Sequence, residues 1–252
     1  MKFFWIFCLT LLVLLYSGQA QAAELAQKLA QFPQWEKLTS PKPAIGDLIY
    51  PDWMAGDWLV TSTLVDLAAP LAPDIVTPGF EGNRQYLHQP VQFQVRFVTQ
   101  PRLWKQNSAV PIVADRAFNG LSLARAYLGD RAVVAVKVDP DSPNRQITIL
   151  RGDRQLVSIV TERSTETNSD ARFITCEVFQ QLFKGGYRPY FNRVESTTAY
   201  QKIPTSHPDI LADQFTAVYP SPQDPEYFAA GSRPVALYRY RLEFQKLLSA
   251  ES

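Results

Sequence analysis

The chain has 252 residues, and its 25 lysines and arginines almost balance its 24 aspartates and glutamates. Proteins that bind nucleic acid usually carry a basic excess gathered into one patch, so this balance argues against that class. The length suits one large all-β domain or two small ones. The 19 prolines and 11 glycines are typical of a chain divided into many short strands.

The first 22 residues have the layout of an export signal. Lys2 precedes the apolar run Phe3–Tyr16, and the small residues of Ala20-Gln21-Ala22 follow. The run is shorter than the roughly 20 apolar residues that cross a bilayer as a helix. We therefore expect cleavage after Ala22 and delivery across one membrane, with no membrane-spanning segment afterwards. Cys8 would leave with the signal, so the fold is not expected to depend on a disulfide.

Residues 23–51 are expected to form a short helix and a proline-rich linker. Leu25, Leu29 and Phe32 recur at helical spacing, and prolines follow at positions 41, 43 and 51. The remaining residues, 52–248, are expected to form a single β domain.

About nine short segments of that domain have the length and composition of β-strands. In the clearest, Val91–Thr99, apolar side chains occupy every second position from Val91 to Phe97, the pattern of a strand with one solvent-facing side. Phe118–Leu128, followed by Gly129, has a helical pattern. Short strands meandering around one helix predict an all-β fold, an antiparallel up-and-down barrel of eight or nine strands with one packed helix.

The segment Asp66–Pro90 is long, rich in proline and glycine, and too apolar for a disordered linker. Leu71, Ile75 and Phe80 are among its apolar residues. We expect it to fold back, either as a lid over a ligand-binding mouth or as a segment that only covers one end of the barrel. Arg84 could hydrogen-bond an acidic ligand head group or satisfy carbonyl groups of the loop.

Two features resemble the lipocalin or calycin superfamily: the triplet Gly56-Asp57-Trp58 at the first strand, and a late strand that carries arginines. In that superfamily a G-x-W triplet opens the first strand, a long loop folds over the mouth, and a late arginine lies across the tryptophan at the closed end. The resemblance implies a calycin-like barrel with Trp58 as the plug of its base. A cation–π contact with that indole is implied for one of three candidates: Arg233, Arg239 or Arg241.

Three shorter stretches, Tyr50–Trp58, Ala69–Pro73 and Thr77–Arg84, are similar to an uncharacterised family of exported cyanobacterial and chloroplast proteins. That resemblance implies the thylakoid lumen or the periplasm as the location. It supplies no reaction.

Three functions remain open from the sequence. The first is the binding of a small apolar ligand such as a lipid, a quinone or a pigment, because an eight-stranded barrel can hold one small molecule. The alternative is a ligand-free interaction or assembly factor associated with a photosynthetic membrane complex, and the third is an enzyme of unknown reaction. Bulky inward side chains would fill the lumen and favour the interaction factor. The residues expected to contact a ligand are Trp58, Val60, Phe93, Val95, Phe97, Tyr240, Leu71, Ile75, Phe80 and Arg84.

No catalytic residue, metal ligand or cofactor is predicted. The histidines, His88 and His207, are far apart in sequence, and no zinc-type ligand spacing or catalytic motif is present. Cys176 alternates with Ile174 and Val178, so it is expected to point into the core.

A run of basic and aromatic residues, Lys184–Arg193, has two interpretations. It could contact a membrane head group or a partner at the barrel rim, or it could be a solvated turn.

Overall fold

The computed structural model describes residues 24–35, 41–75, 79–100, 110–169, 171–204 and 207–247. The expected export signal lies outside these residues, as do positions 76–78 of the expected lid segment.

The described chain is dominated by β-strands. Its helices are α1 (Glu24–Ala30), α2 (Phe80–Asn83), α3 (Arg116–Leu128) and α4 (Tyr227–Ala230). Its strands are β1 (Lys42–Pro43), β2 (Gly56–Ala68), β3 (Pro90–Thr99), β4 (Ile112–Ala114), β5 (Val133–Asp139), β6 (Ser142–Leu150), β7 (Arg154–Ser169), β8 (Arg172–Lys184), β9 (Tyr190–Lys202), β10 (Ile210–Tyr219) and β11 (Ala236–Lys246). Ten of them form one antiparallel sheet in the order β4-β3-β2-β11-β10-β9-β8-β7-β6-β5, and β1 pairs with β7.

The sheet curls into a half-barrel, and α3 lies in the gap between its two edges. The side-chain amide of Asn119 accepts a hydrogen bond from the Arg96 N–H (2.7 Å) and donates one to the Arg96 carbonyl (3.0 Å). The Ser122 hydroxyl accepts from the Gln94 N–H (3.0 Å). Side chains of α3 therefore satisfy backbone groups of β3 that a neighbouring strand would satisfy in a closed barrel.

The predicted all-β class, the antiparallel up-and-down order and the packed helix are confirmed. The continuous sheet has ten strands, where eight or nine were expected, because the short β4 adds an edge strand beside β3. Pairing stops at β4 and β5, where α3 takes the place of further strand contacts.

We call the two ends of the half-barrel the base and the rim. The base is the end at which β2 begins and β11 ends. The rim carries the turns that join β6 to β7, β8 to β9 and β10 to β11, at residues 151–153, 185–189 and 220–235.

Trp58 is buried in the core at the base. Its side chain is 3 % exposed, its indole N–H donates to the Met54 carbonyl (2.8 Å), and its ring meets Phe244 edge-on. The cation over the indole is Lys246, with its Nζ 4.8 Å from the ring centre. The expectation of an arginine there was wrong, because Lys246 is the residue directly opposite Trp58 in the β2–β11 register.

The arginines proposed for that position point elsewhere. Arg239 pairs with Asp213 (3.3 Å) and lies over the ring of Phe215, and Arg241 pairs with Glu243 (2.8 Å). The guanidinium of Arg233 donates to carbonyls of α4.

The N-terminal segment covers the outer face of β8, β9 and β10. Trp35 packs on Phe215, and Leu25 packs on Cys176. Lys28 forms a buried ion pair with Glu195, which also accepts a hydrogen bond from the Tyr219 hydroxyl (3.1 Å). This part of the sheet is therefore buried on both faces, with an apolar set of side chains facing outward under α1.

Candidate functional site

A cavity of about 530 Å³ lies between the concave face of the half-barrel and α3. Its volume falls within the roughly 300–1,000 Å³ of small-molecule sites. It is lined by Tyr50, Val60, Ser62, Phe93, Val95, Phe97, Ala114, Arg116, Asn119, Gly120, Leu123, Tyr127, Gln146, Glu177, Tyr200, Gln214, Thr216, Tyr240, Leu242 and Phe244.

Helix α3 forms one wall of the cavity with a single face. The lining positions 116, 119, 120, 123 and 127 recur at intervals of three and four, which places them on one side of a helix. Gly120 allows the Gln146 side chain of β6 to approach α3 closely, since a Cβ at position 120 would lie 2.7 Å from the Gln146 side-chain nitrogen. None of the thirteen residues of α3 is fully buried, because this face borders the cavity rather than packed side chains.

The cavity has an apolar side and a polar side. The apolar side comes from β2, β3 and β11, through Val60, Phe93, Val95, Phe97, Leu242 and Phe244. The polar side comes from β6, β8, β9 and β10, through Gln146, Glu177, Tyr200, Gln214 and Thr216. Such a cavity suits a molecule that is largely apolar and carries hydrogen-bonding groups along one edge.

A network of charged side chains stands at one corner of the cavity. Glu177 Oε1 lies 2.8 Å from a guanidinium nitrogen of Arg163 and 3.4 Å from one of Arg116, and Arg116 also pairs with Asp47 (2.7 Å). Burial alone would lower the pKa of Arg116, but the carboxylates of Glu177 and Asp47 outweigh it and raise the pKa. Two cations and two anions balance, so the network adds fixed dipoles and no net charge to the site.

Tyrosine hydroxyls add neutral polar groups to the lining, among them those of Tyr50, Tyr200 and Tyr240. The rings of Tyr50 and Tyr200 meet edge-on, with their centres 6.3 Å apart. Burial raises the pKa of Tyr50, Tyr200 and Tyr240 above the ordinary tyrosine value. All three therefore stay protonated at neutral pH and can donate or accept a hydrogen bond.

The rim end of the cavity is covered by part of the Asp66–Pro90 segment. Phe80 packs on Leu64 and Tyr238, and the Asn83 amide donates to the Tyr238 hydroxyl (2.9 Å). A second cavity, of about 220 Å³, lies below this cover and shares Tyr127 and Tyr240 with the first.

The structure brings together only part of the predicted contact set. Val60, Phe93, Val95, Phe97 and Tyr240 all line the main cavity. Trp58 lies below the cavity floor, in the core that closes the base.

The other predicted contacts belong to the rim. Phe80 covers the rim end, whereas Leu71 and Ile75 pack on Ala230 and Val235 away from the cavity. Arg84 is exposed and pairs with Glu81 (2.9 Å). Its guanidinium therefore stabilises the loop, and Arg84 is not among the residues that line the cavity.

Sequence reasoning missed the contributions of α3 and of the polar strands. The α3 set could have been found from its helical spacing, because the helix itself was predicted. Gln214 and Thr216 gave no such signal, because polar residues in an alternating strand normally indicate the solvent face. Cys176 is buried as expected, but it lies on the outer face under α1.

Neither a metal site nor a membrane-spanning helix is found within the described ranges. No group of three or more His, Cys, Asp or Glu side chains there is arranged to hold a metal ion. In the same part of the chain, no helix has the length and apolar character required to cross a membrane.

Residues 43–248 match the family model of a domain of unknown function (DUF6816). The chain belongs to the DUF6816 family. The DUF6816 span includes all residues that line the cavity, whereas α1 precedes it. No curated protein and no solved structure matches the chain.

Proposed function

We propose that this DUF6816 protein binds one small, largely apolar molecule in the cavity between α3 and the concave sheet. The observation that supports this proposal is the amphipathic lining of a cavity of about 530 Å³. Lipids, quinones and pigments all combine an apolar body with a few oxygen-bearing groups. They are therefore the ligand classes that we propose.

Each side of the cavity has a distinct role in this proposal. The aromatic and branched side chains of β2, β3 and β11 remove the apolar body of the ligand from water, which contributes about 25 cal/mol for each Å² buried. Gln146, Gln214 and Tyr200 pair with the polar groups of the ligand and so set its orientation. A ligand without polar groups would leave these side chains unpaired, which costs about 1–3 kcal/mol per buried group.

The cavity also bears on the ligand-free alternative. An interaction factor with a filled lumen requires side chains that meet across it. Phe93, Phe97 and Phe244 have Tyr200 as well as the smaller Thr216 and Gly120 on the other walls, and about 530 Å³ stays unfilled between these walls. The unfilled volume favours ligand binding.

The location and the wider kinship are part of the same proposal. Export to the thylakoid lumen or the periplasm depends on Met1–Ala22 acting as a signal, and N-terminal sequencing of protein from the native host tests it. A lipocalin-like binding mode is supported by Trp58 in the base and by the loop segment over the rim.

Organic extraction of protein purified from its native host, followed by mass spectrometry, tests the proposal directly. We expect one apolar compound in stoichiometric amount, and repeatedly empty extracts from correctly folded protein would contradict it.

A second test uses N-phenyl-1-naphthylamine as a fluorescent probe. We expect saturable binding of one probe per chain to the wild-type protein. Thr216→Trp should abolish it by filling the cavity, whereas Thr63→Trp, the same exchange on the outer face of β2, should preserve it.

A further inference from the structure

The rim carries two aromatic side chains in almost full contact with water. Tyr187, in the β8–β9 turn, is 98 % exposed, and Phe228, in α4, is 91 % exposed. Phe183 and Phe191, at the ends of the strands that flank the β8–β9 turn, are also exposed. Exposed aromatic residues gathered at one end of a molecule mark a contact surface more often than scattered ones do.

The loops that carry these aromatics are tied to one another. The Tyr190 hydroxyl donates to Asp224 (3.1 Å), and this bond joins the β8–β9 turn to the loop that contains α4. Burial and the nearby Asp224 carboxylate raise the pKa of Tyr190 to about 12, so the donor keeps its proton at neutral pH. Gly185 lies so close to the Asp153 carbonyl that a Cβ would collide with it, which places the β6–β7 turn alongside.

The β8–β9 turn carries only basic charges, and the three turns together have a small basic excess. The segments 151–154, 184–191 and 221–233 contain five lysines and arginines against three acidic residues. Lys184 and Arg188 flank Tyr187, and the Arg188 guanidinium lies 5.8 Å from the Tyr187 ring centre. Asp224, one of the three acids, is engaged with Tyr190 and with the Ser221 N–H (2.7 Å).

We propose that the rim of the half-barrel docks on the surface of a bilayer that contains anionic lipids. Aromatic side chains partition into the boundary between head groups and acyl chains, where an apolar ring and a polar hydroxyl are both accommodated. Lysine and arginine beside them are attracted to anionic head groups. Tyr187 and Phe228 enter the interface, and Lys184 and Arg188 lie at the level of the head groups.

Docking by the rim also sets which end of the half-barrel faces the membrane. The smaller cavity, lined by Tyr86 and Leu128 among others, lies at the same end of the half-barrel. A protein docked by its rim therefore presents that end to the membrane and leaves the base in water.

Vesicle flotation and hydrogen exchange of the full chain test this proposal. Vesicles of phosphatidylcholine alone are compared with vesicles that contain about 30 % phosphatidylglycerol. We expect stronger association with the anionic vesicles, weakened at about 0.5 M salt because the charges are screened. On those vesicles, amide exchange should slow in residues 184–190 and 226–231.

Double variants show how much of the membrane association comes from the rim. All of them keep the same apolar N terminus, so any contribution from it is equal in each. Tyr187→Ser with Phe228→Ser, and Lys184→Glu with Arg188→Glu, should each lower the partition coefficient at least about tenfold. Ile45→Ser with Ile49→Ser removes exposed apolar residues near the base, and Lys137→Glu with Lys202→Glu makes the same charge change elsewhere. Both control pairs should bind as the wild type does.

Three results would overturn the proposal. One is equal association with neutral and anionic vesicles, and another is unchanged exchange at the rim of membrane-bound protein. The third is binding of a purified protein partner to the rim, together with amide exchange at the rim that vesicles leave unchanged. Circular dichroism and thermal melts of each variant establish that the fold is retained.

Discussion

The hydroxyls of Tyr127 and Ser62 lie 3.2 Å apart and join α3 to the inward face of β2 at the cavity. Because α3 has no fully buried residue, such polar bonds carry much of its attachment. Tyr127→Phe should cost about 0.5–1.5 kcal/mol of unfolding free energy. Amide exchange in residues 121–128 should become faster, as mass spectrometry can measure. Thr63→Ala, on the outer face of β2, should change neither.

Trp58 is expected to be among the largest contributors to stability. Trp58→Ala should lower the free energy of unfolding by about 3–5 kcal/mol in urea melts, because it leaves a void in the base. Lys246→Ala removes the exposed cation over the ring and its hydrogen bond to the Ala55 carbonyl (2.8 Å), and it should cost about 0.5–1.5 kcal/mol. A loss under about 1 kcal/mol for Trp58→Ala would show that the indole does not plug the base.

The charged corner of the cavity should be sensitive to removal of its shared carboxylate. Glu177→Ala leaves Arg163 and Arg116 largely buried without that anion and should cost about 3–5 kcal/mol. Glu243→Ala breaks the more exposed pair with Arg241 and should change stability by no more than about 0.5 kcal/mol. Urea melts of both variants measure the loss of unfolding free energy. Equal losses would contradict the role of Glu177 as the shared partner of Arg163 and Arg116.

Cys176 reports on the docking of α1. Leu25→Asp places a charge under the helix and should expose the thiol. Its rate of labelling by a maleimide, followed by mass spectrometry of the peptide that contains Cys176, should rise at least about tenfold as local opening becomes easier. Ala30→Asp, on the exposed side of α1, is the matched control. Equal labelling rates would indicate that α1 does not protect this face.

Alkaline pH should destabilise the fold through the cavity tyrosines. The folded state raises the pKa of Tyr200 and Tyr240 above the unfolded value of about 10. Above about pH 10 the unfolded chain therefore releases protons that the folded chain keeps, and the free energy of unfolding falls as pH rises. Urea melts at increasing pH should show a shallower decline for Tyr200→Phe. Tyr187→Phe, which changes an exposed ring, should follow the wild type.

The strands were predictable because most of them have one apolar and one polar face. Phe93, Val95 and Phe97 alternate with glutamine and arginine, and the structure turns these three side chains inward to the cavity. The helix over 118–128 was predictable from its spacing and from Gly129, and the structure extends it back to Arg116.

The polar wall was not predictable, because β10 is covered on both faces. Phe215 and Tyr219 alternate with Gln214 and Thr216, and the apolar pair faces outward beneath Trp35 and α1. By its alternation alone, the apolar face of β10 would be assigned to the barrel interior. It faces outward because a distant segment of the chain, with Trp35 and α1, covers it with a second apolar layer.

Local chemistry in the sequence determined the strands, the helix and the tryptophan at the base, since each depends on the periodicity or packing preference of neighbouring residues. The tertiary structure decided that the sheet stops short of closure, that α3 occupies the opening, and that the enclosed space is polar on one side. Those outcomes depend on contacts such as Asn119 with Arg96 and Lys28 with Glu195, which join residues far apart in the chain and leave no periodic signal.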